Sequence, residues 1–171
     1  NDLVIVNPLK IKRWIIDELE ASMVLYFIGA SRSSAAIIDQ QKKNTSSGNE
    51  KAIEAMHKIK QSAIDMKLAL LKGDMQAFAK ILGQGWEDKK KMAEAISNPM
   101  IQEVFDVAIP AGALAGKVSG AGGGGFIMLM VEPTRKKEVI NALKELDGFV
   151  MPFQFTEGGA HGWKIYSTDK I

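Results

Sequence analysis

The chain has 171 residues, 46% of them hydrophobic and 25% charged, the make-up of one ordinary globular domain. Its net charge of +2 supplies no field that would draw in nucleic acid or a membrane surface. With no cysteine, disulfides and thiolate metal sites are excluded, and a reducing, cytoplasmic setting is the expectation; no apolar run approaches the ~20 residues of a membrane span.

Leu3 to Val6 reads as a short strand ended by Asn7-Pro8, and Ile11 to Leu19 as a short helix. Ser22 to Ile28 is continuously apolar, a core strand that Gly29 closes. Ser31-Arg32-Ser33-Ser34 then opens a helix through Gln41. Serine caps helix starts, and the free N–H groups there attract anions. Arg32 at that point is placed to grip a phosphate or carboxylate bidentately, although an arginine in a first turn is ordinarily just solvated.

Lys42 to Asn49 reads as a polar, turn-rich linker. From Glu50 to Lys72, Ile53, Met56, Ile59, Ala63, Met66 and Leu70 recur at helical spacing, and Gly73 is a natural end. Asp74 can cap the next helix, whose face carries Met75, Phe78, Ile81 and Leu82. Gly83 and Gly85 interrupt that pattern and call for a kink or a close contact. Trp86 to Ile96 resumes a helical pattern, with Lys89-Lys90-Lys91 as a solvated face.

Asn98-Pro99 starts a helix running towards Pro110, with Ile101, Val104, Phe105 and Ala108 on its apolar side. Gly112 to Gly116 is small and mobile in character. A strand near 115–119 leads into a glycine-rich loop and a strand over 126–131 leaves it. Pro133 begins a helix with Val139, Ile140, Leu143 and Leu146 on one stripe, closed by Gly148. Phe149, Met151, Phe153 and Phe155 alternate at period two, a strand over 149–155. Glu157 to Gly162 is a loop, and Trp163 to Tyr166 a last short strand. His57 and His161 stand far apart and make no zinc site without cysteine.

The stretch Ser119-Gly120-Ala121-Gly122-Gly123-Gly124-Gly125 departs furthest from ordinary composition. Glycine reaches positive φ freely and lets a ligand approach the backbone. Successive N–H groups can then converge on an anion. The flanking strand residues argue that the loop is held rather than slack. It is not a Walker A loop, because Lys117 precedes the glycines and no Lys-Ser or Lys-Thr follows. Gly120, Gly122 and Gly125 spell the dinucleotide spacing, but a strand follows where a helix is needed. Spacing alone gives an unclassified substrate or anion loop, with a structural tight turn as the bland reading.

Lys117-Val118-Ser119-Gly120-Ala121-Gly122-Gly123-Gly124-Gly125-Phe126 resembles the third conserved motif of the GHMP kinases, a family including galactokinase, homoserine kinase, mevalonate kinase and phosphomevalonate kinase. Leu25 to Ser34, Trp86 with Lys89 and Lys90, Ile96-Ser97-Asn98 and Pro152 to Phe155 resemble its D-glycero-D-manno-heptose 7-phosphate kinase branch. The resemblance implies an α+β, ferredoxin-like C-terminal domain over 21–171, with helices on one sheet face and residues 1–20 closing a preceding kinase domain. It implies ATP-dependent phosphorylation of a sugar or sugar phosphate, most specifically heptose 7-phosphate to the 1,7-bisphosphate. ATP and Mg²⁺ would be bound by the preceding half, since neither upstream family motif is present, and this part alone would be inactive with no catalytic residues of its own. Ser119 to Gly125 and Arg32 are the implied substrate or phosphate contacts, and the chain's own N-terminal kinase domain is the implied partner. A ferredoxin-like regulatory module binding a small molecule is the competing reading, and a structural domain dimerising through the 50–96 helices a third.

Overall fold

The computed structural model describes residues 5–29, 34–156 and 158–163. Its elements in chain order are α1 (Arg13–Ala21), β1 (Met23–Phe27), α2 (Ser34–Ser46), α3 (Glu50–Lys72), α4 (Met75–Lys90), α5 (Pro99–Ala111), β2 (Ala113–Val118), β3 (Phe126–Val131), α6 (Lys136–Leu143) and β4 (Phe149–Met151). The four strands form one sheet in the order β2-β3-β1-β4, each neighbouring pair antiparallel. Strand β1 therefore lies between β3 and β4, which α6 links as a split β-α-β unit. This is the ferredoxin-like arrangement that the sequence implied.

Alternation along the strands sets the two sides of the sheet. Val24 and Tyr26 of β1 and Ile127, Leu129 and Val131 of β3 are almost fully buried. They pack with Ile101, Val104 and Ala108 of α5 and Val139 and Leu143 of α6. Each such aliphatic side chain contributes about 2 kcal/mol on burial. The expected cover of helices on one face thus rests on α5 and α6. A second cluster joins Met130 and Ala115 to Ile15 of α1 and Met75, Ala79 and Leu82 of α4. Met130 alternates with Leu129 and Val131, so these two helices reach the other side of the sheet.

Local chemistry fixes the helix ends. Asn49, Asp74 and Asn98 each accept from the backbone N–H three residues on, at the starts of α3, α4 and α5. Gly73 and Gly112 close α3 and α5 with φ of 72° and 119°.

Several expectations need correction. Helix α2 does not stop at Gln41 but runs to Ser46, taking in most of the supposed linker; Asn44 Nδ2 donates to the Met92 carbonyl at 2.8 Å and ties it down. Helix α4 passes straight through Gly83 and Gly85. Gly83 makes the close contact, since a Cβ there would sit 3.1 Å from the Ala115 Cβ in β2, nearer than ordinary van der Waals distance. The helix ends at Lys90 rather than Ile96, giving way to a turn and a short 3₁₀ segment, Glu94–Ile96. Residues 112–116 are not a mobile stretch: β2 starts at Ala113, and a Cβ on Gly116 would lie 2.7 Å from Leu129 Cδ2. Strand β4 ends at Met151, before Pro152 removes a donor. Ile5 and Val6, the described part of the strand expected over 3–6, pair with no other described strand. The strand expected over 163–166 lies in part, and the helix start expected at 31–33 wholly, outside the described residues.

Candidate substrate and phosphate site

The glycine loop joins β2 to β3 at the end of the sheet where β1 also finishes. Its base is a strand pair, since Ser119 N donates to the Phe126 carbonyl at 2.8 Å. β1 fastens the far side, with Ile28 N donating to the Gly125 carbonyl at 3.0 Å. Gly120, Gly122, Gly123, Gly124 and Gly125 all have positive φ, from 74° to 151°. Side chains with a Cβ seldom enter that region, so the composition follows from the path of the backbone.

Three side chains hold the loop by its carbonyls. Asn98 Nδ2 donates to Gly123 O at 3.0 Å, Gln41 Nε2 to Ala121 O at 3.3 Å, and Lys89 Nζ to Gly120 O. Gly123 N donates to the Ile96 carbonyl at 2.8 Å. The middle of the loop lies flat on the segment before α5: a Cβ on Gly122 would be 2.7 Å from Ile96 O. Gly122, Gly123 and Gly124 are buried, while Ser119 and Gly120 are exposed.

The donors are left over. Ser119 and Gly123 spend their N–H groups inside the protein, whereas those of Gly120, Ala121, Gly122, Gly124 and Gly125 meet no acceptor among the described residues. Buried N–H groups without partners are rare in folded proteins. Carbonyls tied back and amides left free make a donor-rich bend suited to an anion.

Charge nearby has the matching sign. Lys89 of α4 and Lys117 of β2 line one groove beside the loop. Burial, and then repulsion from Lys117, hold the Lys89 ammonium below its ordinary value of 10.5. Among the described residues no three His, Asp or Glu side chains converge on a point that could hold a metal ion. The groups at the loop fit a phosphate or another anion.

Of the residues singled out from sequence, Ser119 to Gly125 form this one structure. Arg32 lies outside the described residues. His57 sits on α3 and His161 in the exposed tail, neither of them at the loop. Gln41 and the carboxamide donor of Asn98 carried no signal as loop supports, because their partners lie 80 and 25 residues away.

Residues 66–147 match the family model of the GHMP kinases C terminal domain. The chain belongs to the GHMP kinases and carries that family's C-terminal domain. Within the family it is 47% identical to the D-glycero-alpha-D-manno-heptose 7-phosphate kinase of Campylobacter jejuni over 165 residues, 96% of this chain and 48% of that protein. It superposes with a TM-score of 0.67 on the crystal structure of a D-glycero-D-manno-heptose 1-phosphate kinase from Bacteroides thetaiotaomicron, at 60% identity over 97% of this chain and 43% of that one. The L. major mevalonate kinase, at 18% identity and a TM-score of 0.66 over 72% of this chain and 37% of that one, shares the fold. The chain spans about half the length of the Campylobacter relative.

Proposed function

We propose that this chain is the C-terminal half of an ATP-dependent sugar kinase that converts D-glycero-D-manno-heptose 7-phosphate to the 1,7-bisphosphate. The observation that carries the reading is the set of five loop amides without an acceptor among the described residues, in a domain similar to that of heptose phosphate kinases. Phosphoryl transfer relies on positioning and on donors aimed at charged oxygens. Ser119 to Gly125 offer such donors from a backbone that four contacts hold in place, so little reorganisation is needed on binding. Arg32, two positions before Ser34 in the sequence, joins them in this proposal as a contact to phosphate.

The preceding half supplies the ATP loop and whatever holds Mg²⁺, and residues 1–20 form its end and the junction. A cytoplasmic location fits a chain without cysteine. Ile64, Leu68 and Leu71 stand exposed on α3 and are the surface that a homodimer would bury.

The test is a screen of the full-length protein with ATP, Mg²⁺ and sugar phosphates. Turnover with heptose 7-phosphate, and a 1,7-bisphosphate product by phosphorus NMR, is expected. Turnover confined to non-phosphorylated sugars, or none, overturns the assignment.

A further inference from the structure

A groove of about 390 Å³ runs between α3 and α4 towards the glycine loop. Met66, Ile81, Trp86 and Met92 give it apolar walls, and Lys89 and Lys117 stand together at one end. The size is that of a small-molecule pocket. Among the described residues neither lysine has a carboxylate within ion-pair distance; the ion pairs found there involve Lys58, Lys90, Lys91 and Arg13 instead. Lys89 satisfies one donor on the Gly120 carbonyl and keeps two. Two ammonium groups side by side, one of them half-withdrawn from water, form an uncompensated positive end on an otherwise greasy trough. Such a trough fits a molecule with the reverse pattern.

We infer that this groove binds a small amphipathic anion, with its apolar body on Trp86 and Met66 and its single carboxylate, sulfonate or phosphate between Lys89 and Lys117. The site is separate from the loop amides and does not rest on the kinase reading. It shares Lys89 and Gln41 with the supports of the loop, and its occupancy is read by binding rather than turnover. Charge complementarity supplies the head-group end, and burial of the aromatic or aliphatic body supplies the rest.

The probe is anilinonaphthalene sulfonate, added to the folded full-length protein and followed by its own emission and by energy transfer from tryptophan. Saturable single-site binding that weakens with added salt is expected. Lys117→Met should weaken it about tenfold, and Lys117→Gln should do the same if the methionine variant folds poorly. Lys117→Arg should keep it, and the uncharged analogue phenylnaphthylamine should bind with no dependence on Lys117. Absence of saturable binding, or equal affinity in wild type, Lys117→Met and Lys117→Gln, overturns the inference.

Discussion

Asn98 braces Gly123 and starts α5 with one carboxamide: its Nδ2 donates to the Gly123 carbonyl while its Oδ1 accepts from Ile101 N. The two jobs can be separated. Asn98→Ala removes both, and loss of the cap alone costs about 1 kcal/mol. Asn98→Asp keeps the acceptor and discards the donor. In the full-length enzyme we expect Asn98→Ala to lower both Tm and kcat/KM. Asn98→Asp should leave Tm nearly unchanged and still raise KM for the sugar phosphate. Equal KM values for Asn98→Asp and wild type would show that the brace is irrelevant to substrate.

Gly120→Ala and Gly122→Ala make the same chemical change at two very different places. At Gly120 nothing lies within 4 Å of the new Cβ, so only the left-handed φ of 74° is penalised, by about 1 kcal/mol. At Gly122 the methyl collides with the Ile96 backbone and φ is 110°. Chemical denaturation should therefore rank Gly122→Ala as the more damaging, by about 1–3 kcal/mol. Gly120→Ala should instead show its effect in kcat/KM, because it crowds the exposed mouth of the anion site. A fully active, fully stable Gly120→Ala enzyme would count against that site.

Lys89 gives the molecule a distinctive alkaline response. Its folded-state pKa lies below the ordinary 10.5, first because of burial and then because of Lys117. The unfolded chain thus holds this proton more tightly than the folded one, and folding is penalised while the side chain is charged. The penalty lifts as the pH climbs through the folded pKa towards 10.5, so stability rises over that window. Denaturant titrations at alkaline intervals up to pH 10.5 should show wild type gaining on Lys89→Met. Parallel curves would refute the assignment of that slope to Lys89.

Tyr26 buries a hydroxyl for which no hydrogen-bond partner of good geometry is found among the described residues. Only 1% of the residue is exposed, and burial pushes its phenol above 10.0. A polar atom without a partner is a cost rather than a gain. Tyr26→Phe should leave unfolding free energy unchanged or raise it by up to about 1 kcal/mol. A loss larger than that, measured by denaturant titration, would reveal a partner such as water that the hydroxyl depends on.

Much of this fold was legible because its signals are local. The apolar stripe of α3 and its Gly73 end define a helix that matches Glu50–Lys72 residue for residue. β3 is an uninterrupted apolar run and was bounded correctly. The misjudged regions depend on distant contacts. Gly83 looks like a helix breaker until β2 is known to press Ala115 against it. Lys42 and Asn44 look like a linker until Met92 accepts from Asn44. The loop itself was visible as a donor-rich bend, but its carbonyl anchors were not, because Gln41, Lys89 and Asn98 reach it from three separate helical segments.

The strand order has a practical consequence for anyone excising this region. The family match begins at residue 66, whereas β1, at 23–27, is an interior strand paired on both sides. A fragment trimmed to the match would lose both β1 and β4, halving the sheet and baring the inner edge of β3 to whatever strand drifts past. Insolubility of such a piece would reflect where the scissors fell, and adding back a peptide spanning 13–28 is the natural way to rescue it.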